Sequence, residues 1–229
     1  MSHLDALKRD IDPSGFDVLD VGAGQGAFVR ALACEGARAT GIEVDEEAVA
    51  RAKEVSGCDI CLGTAQSLPF EPARFDLLTY IFSFHHIPEE FHNAAFAEAA
   101  RVLRPDGRVF VAEPEIDGDM TRIVAAIDDE TAVRTAALNS LSTLPQQHGL
   151  RRTDLAGYTL TRHYPSFDVL FAHLIAVDPA RREKAALPEN RNRMQDEFER
   201  RCRRTENGFE LDQPVRCMMF DKTAALIGS

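Results

Sequence analysis

Apolar positions follow two periods along the first half of the chain. Short apolar runs, bounded by glycine, proline or acids, alternate with stretches whose apolar residues recur every three or four positions. The runs predict strands at 17–20, 37–43, 59–62, 75–82 and 108–112. The longer period predicts helices over 3–12, from the glycine turn through Phe28, Val29, Leu32 and Ala33, over 46–56, and over 89–103. Pro13 and Gly36 stop two of them, and Asp45 offers an N-cap for the third. Pro105, Asp106 and Gly107 predict a tight turn. Strands alternating with helices imply a mostly parallel sheet covered on both faces, with right-handed crossovers.

After Glu113 the rhythm changes. Residues 120–144 read as one long helix or a broken pair, and 159–164 as a sixth strand ended by Pro165. Residues 167–177 and 179–205 read as helical, interrupted near Pro188. A turn at Glu206, Asn207 and Gly208 leads to a last strand at 209–220. The simplest organisation is a single domain over 1–229. Its cofactor-binding core would span 14–116, with helical cap elements at about 117–150 and 167–206.

Composition narrows the class. Hydrophobic residues make up 45% of 229, enough for a core. The net charge of -11 and a pI near 5.1 argue against nucleic acid or an anionic membrane as partner. No segment reaches the roughly 20 apolar residues that span a bilayer, and no signal-peptide pattern opens the chain. The expectation is a cytoplasmic protein, monomer or homodimer, without membrane insertion. Five cysteines show no disulfide framework. Cys58 and Cys61 form a CxxC, but no second pair accompanies them, so buried thiols are the expected reading. The acids Asp128, Asp129, Glu130, Glu197 and Glu199 read as solvated helix faces, and no metal is expected. Arginines at 151, 152, 162, 181, 182, 191, 193, 200, 201, 203 and 204 read as a charged outer face. A sharper alternative has one or two of them facing inward to bind an acceptor carboxylate.

The candidate chemistry lies at the end of the first strand. Gly22, Gly24 and Gly26 follow it and precede a helix, which lets the backbone turn sharply beside a ligand. Glu43, at the end of the second strand, suits a pair of ribose hydroxyls. NAD and S-adenosylmethionine both fit that pattern. Asp20 separates them, because a carboxylate before the first glycine repels a pyrophosphate and suits an ammonium. The competing reading of Asp20 is a cap on the turn's own amides.

From here the chain resembles the class I S-adenosylmethionine-dependent methyltransferases, in particular the small-molecule branch of ubiquinone and menaquinone type, similar to methyltransferase type 11. The resemblance covers about 16–114 and rests on five ordered segments: 18–26, 41–43, 63–70, 75–80 and 101–107. It implies a Rossmann-like α/β fold whose seven-stranded sheet has the order 3-2-1-4-5-7-6, strand 7 antiparallel, with helices on both faces. It implies S-adenosyl-L-methionine as cofactor and S-adenosyl-L-homocysteine as product. Asp20 and the backbone at Gly22 would hold the methionine part, flanked by Ala23, Gly24, Gly26 and Tyr80. Glu43 would hold the ribose, Val44 would lie on the adenine face, and Thr64, Ala65 and Gln66 would flank the adenine. Thr64 stands where the family usually has Asp, so adenine recognition would shift toward the backbone at Ala65.

Methyl transfer from a sulfonium needs no acid at the leaving group, so proximity and alignment carry most of it. A base is needed only where the acceptor must lose a proton. His86 and His85 are the candidates, the former slightly favoured, and a structural role competes for both. Ser83, Phe84 and Glu113 are candidates for the acceptor side. The expected activity is methyl transfer to a small-molecule acceptor. The rivals are an NAD-dependent oxidoreductase and a noncatalytic protein that binds an S-adenosyl ligand.

Overall fold

A computed structural model describes residues 1–56, 58–177 and 179–223. The first half runs α1 (His3–Lys8), β1 (Asp17–Val21), α2 (Ala27–Cys34), β2 (Arg38–Glu43), α3 (Glu46–Ser56), β3 (Ile60–Leu62), β4 (Phe75–Ile81), α4 (His92–Val102) and β5 (Leu103–Pro114). The second half runs α5 (Asp119–Val124), α6 (Thr131–Thr143), β6 (Leu150–Tyr164), α7 (Phe167–Val177), α8 (Pro179–Ala185), α9 (Pro188–Arg201), β7 (Arg203–Thr205) and β8 (Gly208–Lys222). Short 3₁₀ turns at Phe84–His86, Glu89–Phe91 and Pro145–His148 connect them.

The strands form one sheet in the order β3-β2-β1-β4-β5-β8-β6, with β7 paired to β8. Among the described residues the sheet therefore has eight strands, not seven. The extra one is β7, which forms an antiparallel hairpin with β8 across the expected turn at Glu206 and Asn207. Its arginines favour helix, so the sequence extends α9 through it, but the helix stops at Cys202, which is extended. The first five strands pair in parallel. Contacts between β5 and β8 descend in register, from Arg108 with Asp221 to Glu115 with Pro214, so β8 runs the other way and the sheet is mixed.

Two other elements differ from expectation. β6 begins nine residues earlier than the sequence suggests, at Leu150. As the edge strand it has exposed positions on both faces, and its polar Arg151–Asp154 stretch hides the alternation. β5 begins at Leu103, because the predicted turn is a bulge inside it. Phe75 pairs with Leu103 and Leu77 with Arg108, so residues 104–107 oppose Asp76 alone, and Asp106 takes a positive φ of 64°.

The chain divides into two compact units. One comprises Ser2–Glu113, Thr135–Gly157 and the chain from Arg216. Its main core joins Leu19, Leu78, Val109, Phe96 and Phe220 with Ala137, Leu141 and Leu150. Residues 135–150 thus pack into the unit that carries the glycine turn, although the sequence suggests a cap there. A second cluster joins Val29 of α2 and Val49 and Ala52 of α3 to Ile60. Ile60 and Cys61 are consecutive on β3 and pack into the two different clusters, on opposite faces of the sheet. Cys58 lies with Ile60, so the CxxC thiols diverge and form neither a metal pair nor a redox pair.

The other unit comprises Met1, Pro114–Arg134 and Tyr158–Val215. Its core gathers Ile123, Phe167, Leu170, Met194, Phe198 and Leu211. Arg181 is largely buried there, and its guanidinium engages Asp128 at 2.8 Å and Glu130 at 3.0 Å. Those acids, solvated in the sequence reading, are ion-pair partners. Of the arginines considered for an acceptor carboxylate, Arg181 turns inward onto acids of its own unit. Among the described residues, no helix is long and apolar enough to cross a membrane.

Candidate functional site

Two aspartates on β1 stand in opposite electrostatic surroundings. Asp17, at the amino end, takes Arg38 at 2.6 Å and Arg104 at 2.8 Å. The hydrogen bond from Arg38 leads in holding its carboxyl down, to about 2. Asp20, three residues on, is buried at 2% exposure. Its Oδ1 accepts from the Thr79 hydroxyl at 2.7 Å, and among the described residues no cation is paired with it. Burial leads, with Glu43 adding repulsion, in pushing its carboxyl up to about 7. The two acids share one strand and differ by their counter-ions. Among the described residues Asp20 has no positive partner, where Asp17 has two.

Asp20 pairs in register with Thr79 of β4, so both side chains lie on the same face. Thr79 has no role in the sequence reading. Its only signal is a hydroxyl following the apolar pair Leu77 and Leu78 of β4. The next residue, Tyr80, points to the opposite face. It is 1% exposed, packs edge-to-face on Phe84, and its hydroxyl has no hydrogen-bond partner among the described residues. Tyr80 is therefore a core residue here and not a neighbour of Asp20. An orphaned buried hydroxyl costs about 1–3 kcal/mol. Tyr80→Phe should raise the midpoint of thermal unfolding by about 2–4 °C for each kcal/mol recovered. Calorimetry showing a lower midpoint would disprove the orphaned hydroxyl.

The glycine turn is held by close packing. Gly22 has φ +76°, and a Cβ there would lie 2.5 Å from the Ser83 Cβ. The Ser83 hydroxyl donates to the Val21 carbonyl at 2.5 Å. Ser83 thus clamps the loop after β4 to the end of β1 and lies on the glycine turn rather than on a separate acceptor side. The chain enters that loop through Phe82, whose positive φ of 55° is unusual for a bulky residue. Gly26 opens α2 in the left-handed region, where a Cβ would meet Ile60 at 2.7 Å.

Glu43 stands at the end of β2. Its Oε2 accepts from the Gly24 amide at 2.7 Å, and its Oε1 from the amides of Val44 at 2.7 Å and Asp45 at 3.2 Å. Three backbone donors orient the carboxylate, which retains lone pairs for a diol. Beside it Val44 is 66% exposed, a bare apolar face suited to a flat base. Leu62, its register neighbour on β3 through Glu43, is also exposed, and the sequence reading does not include it. Thr64 and Ser67 form a tight turn, with the Ser67 amide donating to the Thr64 carbonyl. Ala65 is buried in the core while Thr64 and Gln66 stay partly exposed, so at Ala65 the backbone is the part left to recognise a base.

The two histidines part company. His86 is exposed and lies against the His85 ring, 4.1 Å between centroids. His85 is buried, and its Nδ1 meets a carboxylate oxygen of Glu113, itself buried at the end of β5. The other Glu113 oxygen accepts the Phe84 amide at 2.9 Å. Phe84 is fully buried against Tyr80 and Phe96, so it serves the core and not an acceptor.

Comparison with known proteins agrees with this geometry. Residues 19–111 match the family model of a methyltransferase domain. Over those residues the chain is similar to the class I S-adenosylmethionine-dependent methyltransferases. Among curated methyltransferases, it is 28% identical over 162 residues to the uncharacterized methyltransferase YcgJ of Bacillus subtilis, covering 66% of this chain and 63% of that one. It is 32% identical over 162 residues to malonyl-[acyl-carrier protein] O-methyltransferase of Erwinia pyrifoliae, covering 68% and 58%. It is 34% identical over 115 residues to ubiquinone biosynthesis O-methyltransferase of Idiomarina loihiensis, covering 48% and 44%. The matches thus span between 44% and 63% of these relatives' lengths. The crystal structure of YcgJ superposes with a TM-score of 0.62 at 19% identity, covering 97% of this chain and all of that one, which is a likeness of fold. The methyltransferase fold here is Rossmann-like, a mixed sheet with flanking helices. The branch within the superfamily does not follow from these matches.

Proposed function

We propose that the protein transfers a methyl group from S-adenosylmethionine to a small-molecule acceptor. The observation that carries this reading is Asp20, a buried carboxylate beside an open glycine turn with a hydroxyl and, among the described residues, no cation as its partner. An ammonium supplies the missing charge, whereas a pyrophosphate worsens the repulsion. Glu43 and Val44 suit the ribose and the adenine of the same molecule. The bound donor supplies an electrophilic methyl on a sulfonium. The residues of the chain orient it and shelter the site from water. The ubiquinone-pathway relative supports a small acceptor.

Calorimetric titration with S-adenosylmethionine, S-adenosylhomocysteine and NAD tests the reading. Saturable binding of both S-adenosyl ligands is expected, and of NAD none. The reverse pattern identifies a dinucleotide enzyme. Binding of S-adenosylmethionine without consumption in any labelled-methyl assay identifies a noncatalytic binder.

The same titration carries a pH signature. In the donor-free protein Asp20 takes up a proton as pH falls through about 7. Binding the ammonium then requires expelling it, so affinity should fall about tenfold between pH 8 and pH 6. A flat profile across that range would mean that Asp20 does not meet the ammonium.

A further inference from the structure

We infer that Glu98 and Arg101 of α4 are positioning residues for the base of the donor, because they fix the loop whose backbone at 64–66 reads it. This deepens the methyltransferase reading and rests on it. The loop, residues 63–74, joins β3 to β4 and lies outside both strands. It starts at the ribose acid, where the Gly63 amide donates to the Glu43 carbonyl at 2.9 Å. Loop, Glu43 and α4 all belong to one compact unit.

Two side chains do for this loop what a neighbouring strand does for a ladder. Glu98 and Arg101 stand one turn apart on α4 and meet as a fork, Nε to Oε1 and Nη2 to Oε2, both at 2.7 Å. The Glu98 carboxylate also accepts the Leu68 amide at 2.8 Å. The Arg101 guanidinium donates to the Leu68 carbonyl at 3.0 Å and to the Phe70 carbonyl at 2.7 Å. The hydrogen bond from Arg101 leads in holding the Glu98 carboxyl below the ordinary carboxylate range, so both partners are charged at neutral pH. Further along, the Ala73 and Arg74 amides donate to the main-chain carbonyls of Arg101 and Val102. The side chains of Ala65 and Leu68 are buried together in the main core.

An ion pair one turn apart on a helix surface adds little to a helix by itself. This pair instead fixes three backbone groups of one loop, and the loop's own chemistry makes that matter. Thr64 offers a base a neutral hydroxyl and no carboxylate, so recognition falls to main-chain groups. A long side chain can turn to follow a base. A main-chain amide or carbonyl moves only with its loop, and its hydrogen bond weakens steeply with misalignment. Arginine suits the task because its planar fork reaches two carbonyls and a carboxylate at once, which a lysine ammonium does not reproduce.

The test titrates the full chain with S-adenosylhomocysteine and S-inosylhomocysteine. The second ligand turns the amino donor of the base into a carbonyl and its N1 acceptor into a donor, and leaves the ribose and amino acid unchanged. The native protein should favour the adenine ligand by about tenfold or more. Arg101→Ala should weaken the adenine ligand about tenfold and the inosine ligand less than about twofold, so that the preference disappears. Arg101→Lys should keep less than half of the preference, and Glu98→Gln, which still accepts the Leu68 amide, should keep more than Arg101→Ala. Hydrogen exchange at the Leu68 amide reads the loop without ligand, and should quicken in Arg101→Ala while the amides of β1 keep their protection. Should Arg101→Ala not fold, Arg101→Lys carries the same comparison. Equal weakening of both ligands reduces the pair to a structural role and overturns the inference. So does an unchanged preference in the folded arginine variants, or equal binding of both ligands by the native protein. Native protein that binds neither ligand overturns the methyltransferase reading instead.

Discussion

Replacing Asp20 by Asn should abolish useful donor binding and at the same time stabilise the donor-free protein. The side chain is buried at 2% exposure, hydrogen-bonded to the Thr79 hydroxyl, and pushed up to about 7 chiefly by burial. Losing its charge removes a buried, charge-assisted contact to the ammonium, worth about 2–4 kcal/mol, or thirtyfold to a thousandfold in affinity. The stability change has the opposite sign. A carboxyl near 7 in the folded chain and 3.8 unfolded binds more protons when folded. Its contribution to stability is therefore complete below about pH 4 and declines as pH rises through 7. Asn avoids that decline and still accepts from Thr79. It should gain about 1–3 kcal/mol at pH 8, after the cost of its own buried amide, and gain nothing near pH 4. Titration calorimetry and denaturant unfolding at the two pH values measure both effects. A variant that binds donor normally, or is less stable than the native protein at pH 8, would refute the assignment of Asp20 as a charge held ready for a cation.

Gly22→Ala should damage stability and donor binding together. The left-handed backbone at φ +76° costs a Cβ about 1–2 kcal/mol by itself. A Cβ 2.5 Å from that of Ser83 then forces β1 and the loop after β4 apart, at about 1–3 kcal/mol more. The sum, about 2–5 kcal/mol, lowers the unfolding midpoint by roughly 5–15 °C in a chain of this size. Adding Ser83→Gly removes the close contact but not the backbone strain. The double variant should recover only the steric part, while losing the hydroxyl's bond to Val21. Equal midpoints for Gly22→Ala and the native protein would show that the turn yields at no cost. Recovery to the native value in the double variant would leave no place for backbone strain.

The candidate donor residues were legible as a group because they lie close together in the chain. A strand end, a glycine turn and an acid after the next apolar run are local features, and each has one dominant physical reading. Asp20, Gly22 and Glu43 follow from them. Tyr80 and Phe84 did not, since a strand buried on both faces carries no alternation to say which face meets a ligand. Register settles the matter, because pairing Asp20 with Thr79 sends Tyr80 to the other side. Ser83 reads as an acceptor-side hydroxyl until Gly22 is seen against it. The two histidines are neighbours with the same chemistry. Burial and the Glu113 carboxylate, on another strand, distinguish His85 from the slightly favoured His86.

The order of apolar runs determined the parallel half of the sheet, the turn between β1 and α2, and the place of an acid at the end of β1. Those depend on periodicity and on backbone conformations available to glycine, which act over a few residues. Tertiary structure decided which of two aspartates on one strand keeps a counter-ion, which histidine is buried against Glu113, and where the edge strand begins. Each of these depends on burial and on partners tens of residues away. Desolvation and pairing act through space, so the chain's order alone does not contain them.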